Sequence, residues 1–302
     1  MMKRRDFLLA ASGVAAAGLA PAPDSEIPLL DLHQHTRYNG RPDDRLLAHQ
    51  QAHNVTTTVL LAGEGWMRSV LGGNRDCAAF EALHKQRFVR FTSSDPAESR
   101  TLDVLRGNIQ RGALGIGELK YHVAVDSPEM HRVYKLAEEL AVPVLIHFEF
   151  EMYNTGIERF AAVLKQYPRV NFIGHAQTWW GNVSADLNPL EMYPKGPVKR
   201  GGLTDKLLAD YPNLYADLSA GSGLNAITRD PDFGRDFVTR HWRKLIWGSD
   251  CDCHDGRGGG VRRGYCIAER SLATLRAYVT DRAKLRRILW ENGAEVLKLK
   301  KG

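Results

Sequence analysis

From residue 28 onward, short apolar or β-branched runs alternate with longer segments whose apolar residues recur every three or four positions. The first kind reads as strand and the second as helix packed by one face. Runs at 29–32, 56–61, 88–92, 114–117, 144–146, 170–174, 214–216 and 245–248 make eight candidate strands. Their alternation with helices predicts βα units and a parallel sheet, and eight is the number that closes a (β/α)8 TIM barrel. Among the helices, Met130, Val133, Ala137 and Leu140 form a stripe behind Asp126-Ser127-Pro128-Glu129, a cap with proline in the first turn. Ile157, Phe160, Ala161 and Leu164 repeat the spacing ahead of Pro168, Leu102, Leu105 and Ile109 ahead of Gly112, and Leu203, Leu207 and Leu208 ahead of Pro212. These stripes are core packing. Two connections exceed what packing needs: 176–202 after the sixth strand, and 251–264, with Gly256, Gly258, Gly259 and Gly260, after the eighth. Long βα loops sit over the active-site face of a barrel. No repeat or linker marks a second domain.

Composition narrows the class without naming a chemistry. With 43% hydrophobic and 25% charged residues in a chain of 302, wholly disordered and collagen-like classes are excluded. A formal charge of +6 is modest for this size, so no nucleic acid is expected as a partner. Four cysteines are too few for a disulfide scaffold, and no apolar run is long enough for a spanning helix. The N-terminus departs from the rest. Lys3-Arg4-Arg5, a small-residue apolar stretch from 10 to 20, and the Ala20-x-Ala22 pattern have the layout of a cleavable signal. The expected division is a signal peptide over 1–22 and a barrel over 23–302. Arg4-Arg5 followed by Asp6-Phe7-Leu8 resembles the bacterial twin-arginine signal. That resemblance implies the twin-arginine export machinery as a partner, a periplasmic or extracellular location, and export of a folded chain, often with its cofactor loaded.

Side chains that bind metals fall at the C-terminal ends of several strands, where barrel enzymes place their chemistry. The first strand ends Asp31-Leu32-His33-Gln34-His35, and residues two apart on an extended segment point to one side. The fourth leads into Gly117-Glu118-Leu119-Lys120, the fifth into His147, the sixth into Gly174-His175 and the eighth into Gly248-Ser249-Asp250. One such residue after an apolar strand is ordinarily a hydrogen-bonded structural group. His33, His35, His147, His175 and Asp250 together are hard to explain that way. Histidines with one or two carboxylates suit Zn²⁺, and also Mn²⁺, Fe²⁺ or Co²⁺, with a position left for water.

This set resembles the amidohydrolase superfamily of metal-dependent barrel hydrolases, and Phe172-Ile173-Gly174-His175-Ala176 with Trp247-Gly248-Ser249-Asp250 resembles its amidohydrolase 2 branch. The branch holds esterases, lactonases and non-oxidative decarboxylases. The resemblance implies His33, His35, His147 and Asp250 as ligands of one ion, with His175 nearby either supporting those ligands or shuttling protons. Binuclear members carry a bridging carboxylated lysine or glutamate on the fourth strand, where Glu118 and Lys120 lie; a bridging Glu118 makes His175 a ligand of the second ion, whereas Glu118 could equally orient a ligand histidine, so one ion and two remain nearly equally open. The implied activity is cleavage of an ester, lactone or amide bond of a small molecule by activated water, with Asp250 and His175 handling protons. Decarboxylation of a carboxylated aromatic or muconate-like compound is the alternative. A metal-dependent deoxyribonuclease and a ligand-binding barrel without catalysis stand behind it.

Around the site, Trp179, Trp180 and Tyr193 could wall a pocket or merely pack their loop. Lys120 and Arg257, with Lys195, Arg262 and Arg263, could hold a substrate carboxylate or phosphate or form a solvated basic face. Cys251-x-Cys253-His254 could bind a soft metal, but without a second group of ligands the expectation is free thiols or one bridge to Cys266. Oligomeric state is left open, a homo-oligomer included.

Overall fold

A computed structural model describes residues 27–261 and 263–299. The leader read over 1–22, and Arg262, lie outside the described residues. Eight strands form where the apolar runs predict them: β1 (Leu29–Gln34), β2 (Val55–Leu60), β3 (Phe88–Arg90), β4 (Ile116–Leu119), β5 (Val144–His147), β6 (Phe172–His175), β7 (Leu214–Asp217) and β8 (Leu245–Ile246). Every pairing is parallel and sequential, within β1-β2-β3 and within β4-β5-β6-β7-β8. Two seams join these arcs into a ring. Thr92 bridges Ile116, and the Leu114 N–H donates to the Arg90 carbonyl at 2.8 Å. On the other side the Leu32 N–H donates to the Trp247 carbonyl at 3.1 Å and the Asp250 N–H to the His33 carbonyl at 2.8 Å. The result is the single-domain (β/α)8 barrel that strand count predicts.

The barrel is filled rather than hollow. Leu30, Leu32, Val59, Leu61, Phe91, Leu145, Ile173 and Ile246 make one buried cluster. A second, larger cluster lies where strands meet helices. The helix Pro128–Leu140 shows how the stripes act: Ser127 Oγ accepts from the Met130 N–H at 3.3 Å, Pro128 occupies the first turn, and Met130, Val133, Tyr134, Leu136 and Ala137 are buried. Full burial of each large apolar side chain contributes about 1.5–3 kcal/mol against leaving it in water. Close approach explains one glycine at the site. A Cβ on Gly174 would stand 2.5 Å from the Trp179 ring, so the indole packs directly on the β6 backbone beside His175.

Strand-end irregularities set which side chains reach the top of the ring. Along β1, Asp31 pairs with Thr58 but Gln34 with Leu60, so β1 carries one extra residue there. This bulge switches the alternation, allowing Leu30 and Leu32 to fill the core while His33 and His35 also face inward. β4 has the same irregularity between Ile116 and Leu119, and Glu118 lies within it.

Candidate metal centre

His33, His35, Glu118, His175 and Asp250 converge above the filled core. One ligand atom from each of His33, His35 and Asp250 lies within 4.8 Å of the others, and the same holds for His33, Glu118 and His175. His33 belongs to both groups. Its Nε2 is 3.1 Å from His35 Nε2, 3.7 Å from a Glu118 oxygen and 3.8 Å from Asp250 Oδ1. His175 Nε2 is 3.6 Å from Glu118 and 3.9 Å from Asp250.

Whether these residues fit a cation can be tested on their free lone pairs. His35 Nδ1 donates to the Leu61 carbonyl at 2.9 Å and His33 Nδ1 to Asp217 Oδ2 at 2.7 Å. Both Nε2 atoms are thereby turned toward the cavity. Two nitrogens each about 2.0–2.1 Å from one ion stand roughly 3.0–3.4 Å apart, which brackets their 3.1 Å separation. Asp250 Oδ1 is buried with no hydrogen-bond partner, which is costly for a carboxylate unless a cation satisfies it. The donor set therefore fits a divalent metal.

The electrostatics agree. Burial depresses His33, yet the Asp250 and Asp217 carboxylates outweigh it and hold its pKa well above the ordinary histidine value, so without an ion the ring keeps a proton that a bound cation would have to displace. An excess of negative charge is therefore focused where the two triads overlap. Burial, and then the neighbouring His33, lower His35 to about 4, so it is neutral at pH 7, as a ligand must be. Burial raises Glu118 and Asp250, but the surrounding histidines pull both below the usual carboxylate range and keep them ionised.

His147 enters the same cavity differently from the other histidines. Its Nδ1 bonds Glu118, and its Nε2 lies 3.0 Å from Glu149, so both ring nitrogens are engaged by carboxylates. It belongs to neither metal triad. Asp217 and Ser219, at the end of β7, are absent from the residues picked out in the sequence, yet they orient the site. Asp217 is wholly buried; its Oδ2 takes His33 Nδ1 at 2.7 Å, His175 Nδ1 at 3.1 Å and Ser219 Oγ at 2.7 Å. Burial raises this carboxyl, but His33 and His175 drive it well below its ordinary value. The signal was present: Leu214-Tyr215-Ala216-Asp217 is an apolar strand ended by an acid, like the run before Asp250.

The centre opens into a cavity of about 240 Å³ whose lining includes Glu118, His147, His175 and Asp250 together with Tyr38, Trp66, Lys120 and Tyr193. Lys120 Nζ sits 5.5 Å from the Trp66 ring centroid, 5.1 Å from that of Tyr153 and 3.9 Å from a Glu149 oxygen. Two expected contacts fall elsewhere. Trp179 is wholly buried and packs against Gly174, Phe148 and Trp180, because the short helix Gln177–Gly181 turns it into the core; it does not line the cavity. Arg257 is exposed on the loop after β8 and does not line it either, since Asp255 folds that loop on itself by accepting the Arg257 and Gly259 N–H groups at 2.9 and 2.8 Å. Trp66 takes the aromatic place foreseen for Trp179, from the loop after β2.

A family model described as amidohydrolase matches residues 22–299. No curated protein sequence matches the chain. Among solved structures the chain is similar to a probable 2-pyrone-4,6-dicarboxylic acid hydrolase from Acinetobacter baumannii with citric acid bound, at 15% identity over 90% of this chain and 99% of that one, TM-score 0.61. It is also similar to a dihydroorotase from Campylobacter jejuni, at 17% identity over 91% and 84%, TM-score 0.58. A third is a 5-carboxyvanillate decarboxylase from Novosphingobium aromaticivorans complexed with manganese, at 12% identity over 84% and 80%, TM-score 0.55. At these identities the likeness speaks for the barrel alone, and the neighbours' names include both a hydrolase and a decarboxylase.

Proposed function

The chain belongs to the amidohydrolase family whose model spans residues 22–299, and from that premise we propose that it is a metal-dependent hydrolase of a small ester, lactone or amide carrying a carboxylate. The observation that carries this reading is Asp250 Oδ1, a buried carboxylate oxygen without a hydrogen-bond partner beside two inward imidazoles. A divalent cation bound there, Zn²⁺ or a neighbour such as Mn²⁺, supplies charge to polarise a carbonyl and brings the pKa of a water near 7. His33, His35 and Asp250 would hold it, and Glu118 with His175 would complete the site or hold a second ion.

The rest is done by the chain's own groups. Asp250, ionised at neutral pH, accepts a proton from the attacking water and passes it to the leaving group, directly or through His175. Asp217 fixes His33, and together with Ser219, whose Oγ meets His175 Nδ1 at 3.1 Å, it fixes His175, in the tautomer that points Nε2 at the cavity. Lys120, set against Trp66 and Tyr153, would bind a substrate carboxylate with an apolar or ring portion on the indole. The hydrolase neighbour acts, by its name, on a pyrone dicarboxylic acid, and the decarboxylase neighbour on a carboxylated vanillate; both substrates carry carboxylates. The twin-arginine-like leader extends the proposal to an exported enzyme.

The deciding experiment is a panel of carboxylated lactones, esters, amides and aromatic acids assayed with the metal-loaded protein, before and after chelation. Metal-dependent ring opening or acid release supports hydrolysis, and carbon dioxide release without hydrolysis overturns it in favour of decarboxylation. Asp250→Asn is expected to abolish turnover while leaving the fold intact; full activity in that variant removes Asp250 from the mechanism.

A further inference from the structure

Next to the catalytic cavity, the glycine-rich loop after β8 brings three cysteines against the helix Asp43–Ala52. His49, Cys251, Cys253 and Cys266 are all buried, and one ligand atom from each lies within 4.8 Å of the others. The Cys251 and Cys266 sulfurs are 3.9 Å apart, and Cys266 Sγ is 3.5 Å from His49 Nε2. A tetrahedral zinc with bonds of about 2.3 Å to sulfur and about 2.0–2.1 Å to nitrogen requires edges of roughly 3.8 Å and roughly 3.5–3.6 Å. The observed separations match those edges and are far from the roughly 2.05 Å of a disulfide. All four cysteines are free thiols, the first of the two alternatives that their spacing leaves open.

Two further observations point to bound metal rather than packed thiols. Backbone N–H groups are aimed at the sulfurs, Gly258 to Cys253 Sγ at 3.1 Å and Ile267 to Cys251 Sγ at 3.4 Å, so the sulfurs act as acceptors. Then there is Arg41, only 2% exposed. Its hydrogen bonds among the described residues all go to neutral oxygens: the Cys251, Cys253 and His35 carbonyls and Gln34 Oε1. The Asp252 and Asp43 carboxylates act on it only through space, and negative charge on Cys251 would act on it in the same sense. Three thiolates around a divalent ion carry one net negative charge, located behind the two cysteine carbonyls that Arg41 grips. As a thiol, Cys253 Sγ also donates to Asp255 Oδ1 at 3.4 Å, a bond given up when the sulfur binds a metal, and Cys266 Sγ lies 3.4 Å from His53 Nε2. The Asp255 oxygen is already taken by two backbone N–H groups, and His53 stands one helical turn from His49 as a neighbour of the same cluster.

We propose that His49, Cys251, Cys253 and Cys266 form a second, structural metal site that takes one Zn²⁺ with four protein ligands and no open position. Its consequence is local. Cys251 follows Asp250 directly, Ile267 lines the catalytic cavity, and the loop between them holds Gly256, Gly258, Gly259, Gly260 and Gly264. A zinc tying this loop to the helix of His49 fixes the backbone from which Asp250 projects. Soft thiolate ligands select zinc over the harder ions that the histidine–carboxylate centre accepts.

The test is cobalt substitution of the purified full-length chain under reducing conditions. Thiolate ligation produces sulfur-to-cobalt charge-transfer absorption in the near ultraviolet, which a centre of histidines and carboxylates cannot give. Its presence is expected; its absence at full cobalt loading overturns the proposal, as does a mapped Cys251–Cys266 disulfide in protein kept reduced. The stoichiometry separates the two sites. A His33→Ala, His35→Ala double variant is expected to keep one tightly held zinc per chain, which falls to none when Cys253→Ser and Cys266→Ser are added. Loss of all zinc from the histidine variant alone, with the fold retained by circular dichroism, also overturns it. Because these readouts are spectra and metal content, they stand or fall separately from the hydrolase reading.

Discussion

Replacing Asp217 by Asn removes one charge and one acceptor position without changing shape, and the geometry at the end of β7 determines the consequence. Asp217 Oδ2 receives His33 Nδ1, His175 Nδ1 and Ser219 Oγ, while Oδ1 accepts the Ser219 N–H at 3.1 Å. An asparagine can place only one carbonyl oxygen. If that oxygen faces the histidines, the amide NH₂ meets the Ser219 N–H, donor against donor. If it turns around, the NH₂ faces both imidazole Nδ1 atoms, drives their protons to Nε2 and so takes away the lone pairs that face the cavity. Hydrogen bonds to a charged group contribute about 1.5–3 kcal/mol, and one of the two arrangements keeps part of that. The expected loss is therefore about 1.4–2.7 kcal/mol, equivalent to roughly 10–100-fold in metal affinity. Competition against a chelator of known affinity measures it directly, and kcat/KM at saturating metal reports the residual misorientation of His175. Ser219→Ala, which keeps the carboxylate, should cost less than about 10-fold by the same assay. An Asp217→Asn protein with wild-type metal affinity and unchanged kcat/KM would refute the claim that Asp217 orients the centre.

Other perturbations separate packing, charge and substrate binding. Gly174→Ala forces a Cβ to 2.5 Å from the Trp179 ring, and overpacking of this kind costs about 1–3 kcal/mol, read as a lower urea midpoint at unchanged slope. Lys120→Met is expected to raise KM for carboxylated substrates by roughly 10–100-fold with a smaller change in kcat, since it removes a charge-assisted contact and leaves the centre alone. At acid pH, Asp205 offers a clean probe. Burial raises it, but bonds from His241 and Arg240, each at 2.6 Å, lower its pKa to about 2. A depressed folded-state value means this contribution is complete above about pH 4 and is lost as pH falls toward 2; partial exposure of the cluster limits it to about 1 kcal/mol. The stability gap between wild type and Asp205→Asn should close over that window, and a gap independent of pH removes the ionic pair as its source.

How much of the site the sequence discloses depends on where the information lies along the chain. The eight strands are legible because barrel strands are covered on both faces and read as apolar runs such as Val144-Leu145-Ile146, all buried. His33, His35, Glu118, His147, His175 and Asp250 stand out because each lies directly after an apolar run or within a few residues of its end. Partnerships across the ring are not legible, since His33 and Asp217 are 184 positions apart and only the closed order of strands brings them together. The choice between pocket wall and loop packing for the tryptophans is illegible for a related reason: which loop aromatic faces the cavity depends on how the loop turns, and Gln177–Gly181 turns Trp179 inward while Trp66 arrives from the loop after β2. The cysteines show the same limit most sharply. Cys251-x-Cys253 lacks a second group of ligands within its own stretch of chain, and part of that group, His49, lies 217 residues from Cys266. Spacing even gave the right answer about His33 and His35 through an incomplete premise. Strict period two, carried back along β1, would put Asp31 on their side and turn Leu30 and Leu32 out of the barrel, whereas those leucines are in its core. The extra residue between Asp31 and Gln34 reconciles core packing with two inward histidines, so a variant that deletes one residue from this stretch should lose either the core or the centre, read as a collapse of thermal stability or of metal content.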